Sequence, residues 1–543
     1  MTTTAAVPRF TATSRTAGEF AGTGQMLRLY LRRDRVVAPL WSLLIGLMPA
    51  LQIVSIKDIY TTGEQLDNFA ATTAASPALV AMYGPVFSSA LGSIGTWKAG
   101  AMYAMIAIAA VLTVIRHTRV EEETGRAELV GATSIGRFAG LTGALLLTYG
   151  ASVVAGIACA ASLMATDLPV AGSVAFGAAL AASGVVWGAV AAVAAQVSTG
   201  ARLARGIALG ALGAAFAVRA VGDAGNGVLS WFSPLGWCLQ IRPFADERWW
   251  VLVPLAALGA GATLLAYRLL RTRDIGAGLL AERPGPAVGG TALSGPVGLA
   301  WRLQRGSLIA WTTGFALYGL LIGGAVNSIG GMLDDSGTLQ DVVTSLGGSA
   351  DLEKSFIAYA VTMLAAGAAA YSVSAVLRLH EEENSGRAET VLAAAVGRVR
   401  YASSHLLFAI GGPAVALLAA GLAIGIVWGA TDGDLPGKVG ESVGAVAVQL
   451  PAVWVITAVA MLLFGALPKY AALAWGVLSA MIVIFLLGSL GSFPQWILDL
   501  VPFIHPPKLP GAAFDLVPIA YLIALAGAGI LLGLMAFRRR DLR

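Results

Sequence analysis

Charge is scarce in this sequence. Asp, Glu, Lys and Arg together fill 12% of its 543 positions, where a soluble globular chain carries about 25%. Histidine appears four times and cysteine twice. His117, His380, His405 and His505 are scattered, and Cys159 and Cys238 stand far apart. No Cys/His spacing suits a metal centre or a disulfide framework, so both cysteines read as packing residues. His405 alone falls at the edge of an apolar run and reads as a hydrogen-bonded interfacial side chain. There is no GxxxxGK[ST] loop; Gly433 to Val439 has the wrong spacing and no hydroxyl after Lys438. Without that cradle the chain cannot be its own ATPase. HExxH is also absent, and nothing suggests an enzyme. Met1 to Thr23 lacks the apolar core of a secretory signal. The expectation is a short cytoplasmic tail.

Apolar residues are plentiful, at 57% of positions, with 67 glycines. One soluble core cannot hide that much apolar surface, whereas lipid can solvate it. Glycine allows the close helix packing that membrane proteins use. Runs long enough to span a bilayer are Val37–Ile56, Ala99–Ile115, Phe138–Ala165, Val174–Val197, Leu203–Val221 and Trp249–Leu269. A second set is Gly306–Ile329, Ile357–Leu377, Ser403–Ala430, Val443–Pro468, Ala471–Leu490 and Leu516–Phe537. The expected fold is an all-α polytopic membrane protein of about twelve helices.

Arginine marks alternate loops. Arg28 to Arg35, Arg116 to Arg137, Arg202 and Arg205, Arg268 to Arg273, Arg378 to Arg400 and Arg538 to Arg540 all fall on one side. The other side carries Asp58 to Asp67, Asp334 to Asp351 and Asp432 to Glu441. The basic loops belong in the cytoplasm, which puts both termini there.

The two sets of six repeat one another. EEETGRAELV (Glu121 to Val130) follows the second run, and EEENSGRAET (Glu381 to Thr390) follows the eighth. Setting Gly125 on Gly386 also sets Arg126-Ala127-Glu128 on Arg387-Ala388-Glu389 and Arg137 on Arg398. An Arg-bearing amphipathic stretch opens each half, Met26 to Arg35 and Leu299 to Arg305. Trp237 precedes Pro243-Phe244 as Trp496 precedes Pro502-Phe503, and each half ends on Arg-Asp-aliphatic, at Arg273 and Arg540. Five matches in one order indicate duplication. Six helices per half make the repeats parallel, with a pseudo-two-fold axis along the membrane normal and a pathway between the halves. The expected layout is a tail and connecting helix over 1–36, a first half over 37–276, a linker and second connecting helix over 277–305, and a second half over 306–543.

The acidic loop carries the most information. Glu121, Glu122 and Glu123, matched by Glu382 and Glu383, sit in an otherwise basic segment. Gly125 and Gly386 allow a sharp change of direction. A short helix to Gly136 would follow, favoured by Glu128 or Glu389 near its start and closed by Arg137 or Arg398. The expected product is a rigid knob with a charged tip, once per half. This pattern resembles the coupling-helix region of ABC-2-type exporter permeases. The length and duplicated motif resemble the fused, two-halves-in-one-chain permeases of bacterial multidrug and polyketide-antibiotic efflux systems. The resemblance implies a plasma-membrane permease that exports hydrophobic or amphipathic compounds. It implies two copies of a separate ATPase polypeptide on the cytoplasmic face, with ATP and Mg bound there, and no nucleic-acid partner. The second motif departs from the first by Asn384-Ser385 against Thr124, read as an extra residue that would alter its docking.

Other candidates are weaker in pattern. Met102, Tyr103 and Met105, with Tyr359, Met363 and Tyr371, could line the pathway or could be plain helix packing. Met and aromatic side chains repack around varied ligands. Arg219, with Asp223 four residues on, forms either a local surface pair or a polar gate with Trp231, Trp237, Pro243, Phe244, Trp496, Pro502 and Phe503; the resemblance makes the Trp and Pro-Phe segments extracellular re-entrant elements. The spans hold almost no other charge, which argues against the alternative of an ion-coupled secondary carrier. Export of a lipid-like metabolite stays open as a further alternative.

Overall fold

The computed structural model describes residues 18–274, 276–280, 290, 293, 295–333, 352–488 and 494–541. The expected acidic loop over 334–351 and the residues after the closing Arg-Asp pairs, Ile275 and Leu542, lie outside them. No β-strand occurs among the described residues. Among the described residues, eleven helices are long and apolar enough to cross a bilayer, so the chain is a multi-pass membrane protein. The chain divides into two compact units, Met1–Pro284 and Gly285–Arg543.

The first unit opens with α1 (Thr23–Arg33) and α2 (Val37–Ile59). The segment read as an outer loop then folds into α3 (Gly63–Ala74), α4 (Pro77–Tyr83) and α5 (Leu91–Trp97). Their starts follow local chemistry. Thr62 and Gln65 close a capping box on α3, and Ser76 caps α4 with Pro77 in its first turn. These helices are too short for a hydropathy window. They are nevertheless ordered by burial of Phe69, Ile94 and Trp97. The chain continues through α6 (Met102–His117), α7 (Arg119–Glu123) and α8 (Arg126–Gly131). It then crosses in α9 (Ala139–Met164), α10 (Val170–Val197) and α11 (Ala201–Ala224), turns through α12 (Pro234–Gln240) and returns in α13 (Leu252–Thr272). The second apolar span therefore extends over Leu91–Glu123 and includes Lys98, which the sequence reading had placed outside.

Small residues set the packing. A Cβ on Gly156 would stand 2.4 Å from the Gly177 carbonyl oxygen, and one on Gly177 would stand 2.3 Å from that of Gly156. The backbones of α9 and α10 touch there. Leucines such as Leu146 and Leu264 point outward at 47% and 61% exposure, as lipid-facing side chains do.

The second unit comprises α14 (Pro296–Leu333), α15 (Leu352–Asn384), α16 (Arg387–Leu392), α17 (Arg398–Asp432), α18 (Leu435–Ala466), α19 (Leu473–Gly488), α20 (Gln495–Leu498) and α21 (Leu516–Arg539). The connecting stretch here runs unbroken into the first span, whereas Asp34 caps α1 and separates it from α2. Twelve spans were expected. α19 covers sixteen described residues and the expected run to Leu490 reaches beyond them, so eleven spans qualify by length among the described residues.

Candidate functional site

Within each unit the acidic motif forms the same bonded assembly. Gly125 and Gly386 adopt φ of 70° and 71°, a left-handed turn open to glycine at little cost. A short helix follows each turn: α8 over six residues and α16 over six. The expected helix to Gly136 is thus shorter, since Thr133 to Gly136 turn back and Gly136 N donates to the Ala21 carbonyl.

Glu123 is exposed, but the other glutamates of the two clusters, Glu121, Glu122, Glu382 and Glu383, are not a charged tip. Glu121, Glu382 and Glu383 are buried, and the Glu122 side chain is 13% exposed. Burying a carboxylate is tolerable only with a cation and hydrogen bonds. The partners are the Arg-Asp pairs that close each half. Arg273 grips both oxygens of Glu122 at 2.6 and 2.8 Å, and Arg540 grips both oxygens of Glu383 at 2.6 and 2.5 Å. Arg126 bonds Glu121 at 3.3 Å, as Arg387 bonds Glu382 at 2.9 Å. Arg137 donates to the carbonyls of Leu270 and Arg273, as Arg398 donates to those of Arg538 and Arg540. Two motifs read separately in the sequence are therefore two faces of one clamp. It ties the loop after the second span to the end of the last helix in its unit.

This register also corrects the supposed extra residue. Glu383 occupies the role of Glu122, so Asn384 stands in for Glu123 with nothing inserted. The exchange matters. Glu123 accepts from Ala201 N at 2.6 Å at the start of α11, whereas Asn384 bonds His380 at 3.0 Å.

The first unit has additions that sequence reasoning missed. Arg119 is fully buried and donates to Glu122 at 2.5 Å, to the Ala277 carbonyl at 2.9 Å and to the Ser198 carbonyl. Asp34, buried beside α1, meets His117 at 2.7 Å and Arg116 at 3.0 Å. Tyr30 lies against the His117 ring, with centroids 4.4 Å apart. Burial raises the Tyr30 phenol above its ordinary range, and the hydrogen bond to Glu121, 2.9 Å away, raises the Arg33 guanidinium. Asp34 was the available signal, as the one acid within Arg28 to Arg35.

What the clamps present outward is the short helices. Leu129 is 75% exposed, Glu128 and Glu389 are exposed, and the Arg126 and Arg387 side chains reach solvent at 53% and 60%. Beside α8 a cleft of about 540 Å³ is lined by Met26, Leu29, Tyr30, Glu121, Val130 and Ile135. Beside the second clamp a cleft of about 470 Å³ is lined by His380, Glu383, Asn384, Lys469, Tyr470 and Arg540.

Polar and aromatic contacts hold the opposite end of the first unit together. Arg219 and Asp223 pair at 3.0 Å with side chains only 4% and 2% exposed, so the pair is internal rather than a surface pair. Arg219 also donates to the Ala81 and Met82 carbonyls at 2.8 and 3.0 Å, and Asp223 accepts from Ser230 at 2.5 Å. Together they clasp α4 to α11. Trp237 donates to the Trp231 carbonyl at 2.6 Å, and Trp231 stacks on Trp250. Phe244 has φ of 62° and fits where a Cβ on Gly92 or Gly172 would stand 2.7 or 2.2 Å from its ring. Pro243 borders a small void of about 40 Å³. In the second unit Pro502 and Phe503 are buried, but Trp496 is 66% exposed. The Trp matches therefore do not share an environment.

The candidate pathway residues divide. Tyr103 and Tyr371 are buried at 2% and 1% exposure, and each packs inside its own unit, Tyr103 against Phe176 and Tyr371 against Trp311. Met102, Tyr359 and Met363 are half-buried, and Met105 is 49% exposed. His405 is buried and meets Gln304 at 3.2 Å. Cys159 and Cys238 are buried free thiols. No group of three or more His, Cys, Asp and Glu fit to hold a metal occurs among the described residues.

Residues 293–538 match the family model of the multidrug efflux system permease Rv1217c, C-terminal domain. Over 525 residues the chain is 54% identical to the multidrug efflux system permease protein Rv1217c of Mycobacterium tuberculosis strain H37Rv, covering 96% of each chain. The chain belongs to this permease family. The permease is accordingly a transport protein and not an enzyme. The family model falls within the second unit of the permease, from just before α14 to the end of α21. The full-length likeness extends to the first unit, where Arg119, Asp34 and the Arg219 clasp reside.

Proposed function

We infer that the permease is the membrane half of an ATP-driven exporter of hydrophobic or amphipathic compounds across the bacterial plasma membrane. In this reading the two units are parallel repeats of an ABC-2-type permease, with both termini in the cytoplasm. A separate ATPase polypeptide binds as two copies, one against each short helix, and carries the ATP and Mg. The observation that supports this best is the twofold clamp. Each short helix is exposed on its outer side and fixed at its base by a buried bidentate Glu–Arg pair to the last helix of its unit. An exposed lever on a rigid mount suits force transmission from a soluble motor. The chain has no phosphate-binding loop of its own, which agrees with a separate engine. The name of the Mycobacterium tuberculosis relative supports efflux and a range of drugs as cargo.

The docking surface in this reading is Leu129, Glu128 and Arg126 on α8, with Glu389 and Arg387 on α16, and not the buried glutamates. Met102, Met105, Tyr359 and Met363 remain the proposed cargo contacts. Arg219, Trp231, Trp237, Phe244 and Phe503 remain the proposed outer gate. Leu129→Asp combined with Glu389→Lys is expected to weaken ATPase binding by roughly tenfold or more, as loss of an interface anchor does. Co-purification with the ATPase and stimulation of its turnover would measure this. Folding should be unaffected, because both side chains are exposed. Unchanged ATPase binding in that double variant would remove the short helices as the docking surface.

A further inference from the structure

α1 buries Met26 and Tyr30 at i, i+4, with Tyr30 and Met26 lying against Gly140 and Gly143 of α9. α14 buries Ala300 and Gln304 in the same spacing. Two residues after the first buried position, each helix turns an arginine outward: Arg28 on α1 and Arg302 on α14. At 100° per residue, Arg28, Arg32 and Arg302 stand opposite the buried stripe and Arg305 stands on its flank. All four are exposed, as is Arg35. None of the five has an acidic partner among the described residues. α1 contains no Asp or Glu, and neither do residues 1–17. Three neighbouring arginines of the first unit are engaged: Arg33 with Glu121, Arg116 with Asp34, Arg271 with Glu19.

Apolar side chains lie beside these guanidinium groups. Leu29 and Leu31 are 41% and 50% exposed, and Val36 is 65% exposed just before α2 enters the membrane. On α14, Val297 and Trp301 are 49% and 47% exposed. Water is a poor solvent for that combination. The boundary of a bilayer suits it, since acyl chains cover the leucines while guanidinium groups reach phosphates. An exposed Trp at this depth is the usual interfacial anchor.

We propose that the outward faces of α1 and α14 are paired binding surfaces for anionic phospholipid headgroups of the adjoining leaflet, with Arg28 and Arg32 on the first and Arg302 and Arg305 on the second. The occupant is a lipid phosphate and not a free anion, because the apolar residues alongside need acyl chains at the same site. None of these four arginines lines the clefts beside the short helices.

The test uses the full-length permease purified in neutral detergent and titrated with phosphatidylglycerol or phosphatidylcholine, with bound lipid counted by native mass spectrometry. One basic side chain near a lipid surface favours an anionic headgroup by a factor of about five. The wild-type chain should therefore bind phosphatidylglycerol at least fivefold more tightly than phosphatidylcholine. The variant R28Q/R32Q/R302Q/R305Q should lose that preference while keeping its thermal midpoint. R205Q/R268Q, which removes two other exposed arginines, should keep the preference. Inorganic phosphate at millimolar concentration should not displace the lipid. Equal loss in the control variant would reduce the effect to general basicity and overturn the proposal. Displacement by inorganic phosphate would overturn the lipid as occupant. A four-Gln variant that keeps its lipid preference but loses ATPase binding would assign the face to a protein partner instead.

Discussion

Glu122→Ala and Glu383→Ala are each expected to destabilise the permease by about 3–5 kcal/mol, the cost of leaving a buried charge without its partner. Glu383→Ala strands Arg540, whose side chain is 15% exposed and bonded to both Glu383 oxygens. Glu122→Ala should fall at the upper end. It strands Arg273 at 3% exposure and Arg119 at 0%, and it removes the acceptor for Gly276 N. Gln at either position keeps the shape and one acceptor, so its effect should be smaller. The exchanged pair Glu383→Arg with Arg540→Glu should recover part of the loss. Unfolding of the purified variants in detergent, read as a double-mutant cycle, gives the coupling directly. Coupling near zero would show that the clamp is incidental to the fold. ATPase stimulation measured on the Gln variants would then report whether a loosened mount also weakens transmission.

Arg219→Ala carries the second large effect, again about 3–5 kcal/mol, because Asp223 is left charged at 2% exposure. The same change frees the Ala81 and Met82 carbonyls, so α4 loses its tie to α11. Asp223→Asn retains an acceptor for Ser230 and should cost less than Arg219→Ala. The expected local sign is faster proteolysis between residues 77 and 90 in Arg219→Ala, or faster labelling of a cysteine introduced there. Stability within about 1 kcal/mol of wild type, with no gain in accessibility there, would contradict the clasp.

The clamp shows what sequence reading reaches and where it stops. Hydropathy located the spans because a bilayer forces about twenty apolar residues into one run. The segment over 60–98 escaped, since helices of seven to twelve residues leave no such run and are ordered by burial of Phe69, Ile94 and Trp97. The duplicated EE-x-x-G-R-A-E and Arg-Asp patterns were legible as repeats. Their pairing was not, because Glu122 and Arg273 are joined only by the return of α13, and nothing local in either segment specifies the other. Reading Glu121 and Glu122 as part of an exposed tip followed from placing charge in water by default. Four basic residues within hydrogen-bonding reach reversed that placement, and the exposed surface moved to Leu129 and its neighbours. Asp34 shows the same limit. A lone acid among arginines reads as a solvated charge until His117 and Arg116 are brought against it.

The most direct measurement is dye transport in proteoliposomes containing the permease with and without its ATPase. The expected result is uptake of amphipathic dyes that requires both ATP–Mg and the ATPase, persists after proton and sodium gradients are dissipated, and falls in Leu129→Asp/Glu389→Lys. Transport that proceeds without the ATPase and collapses with either gradient would contradict a separate engine.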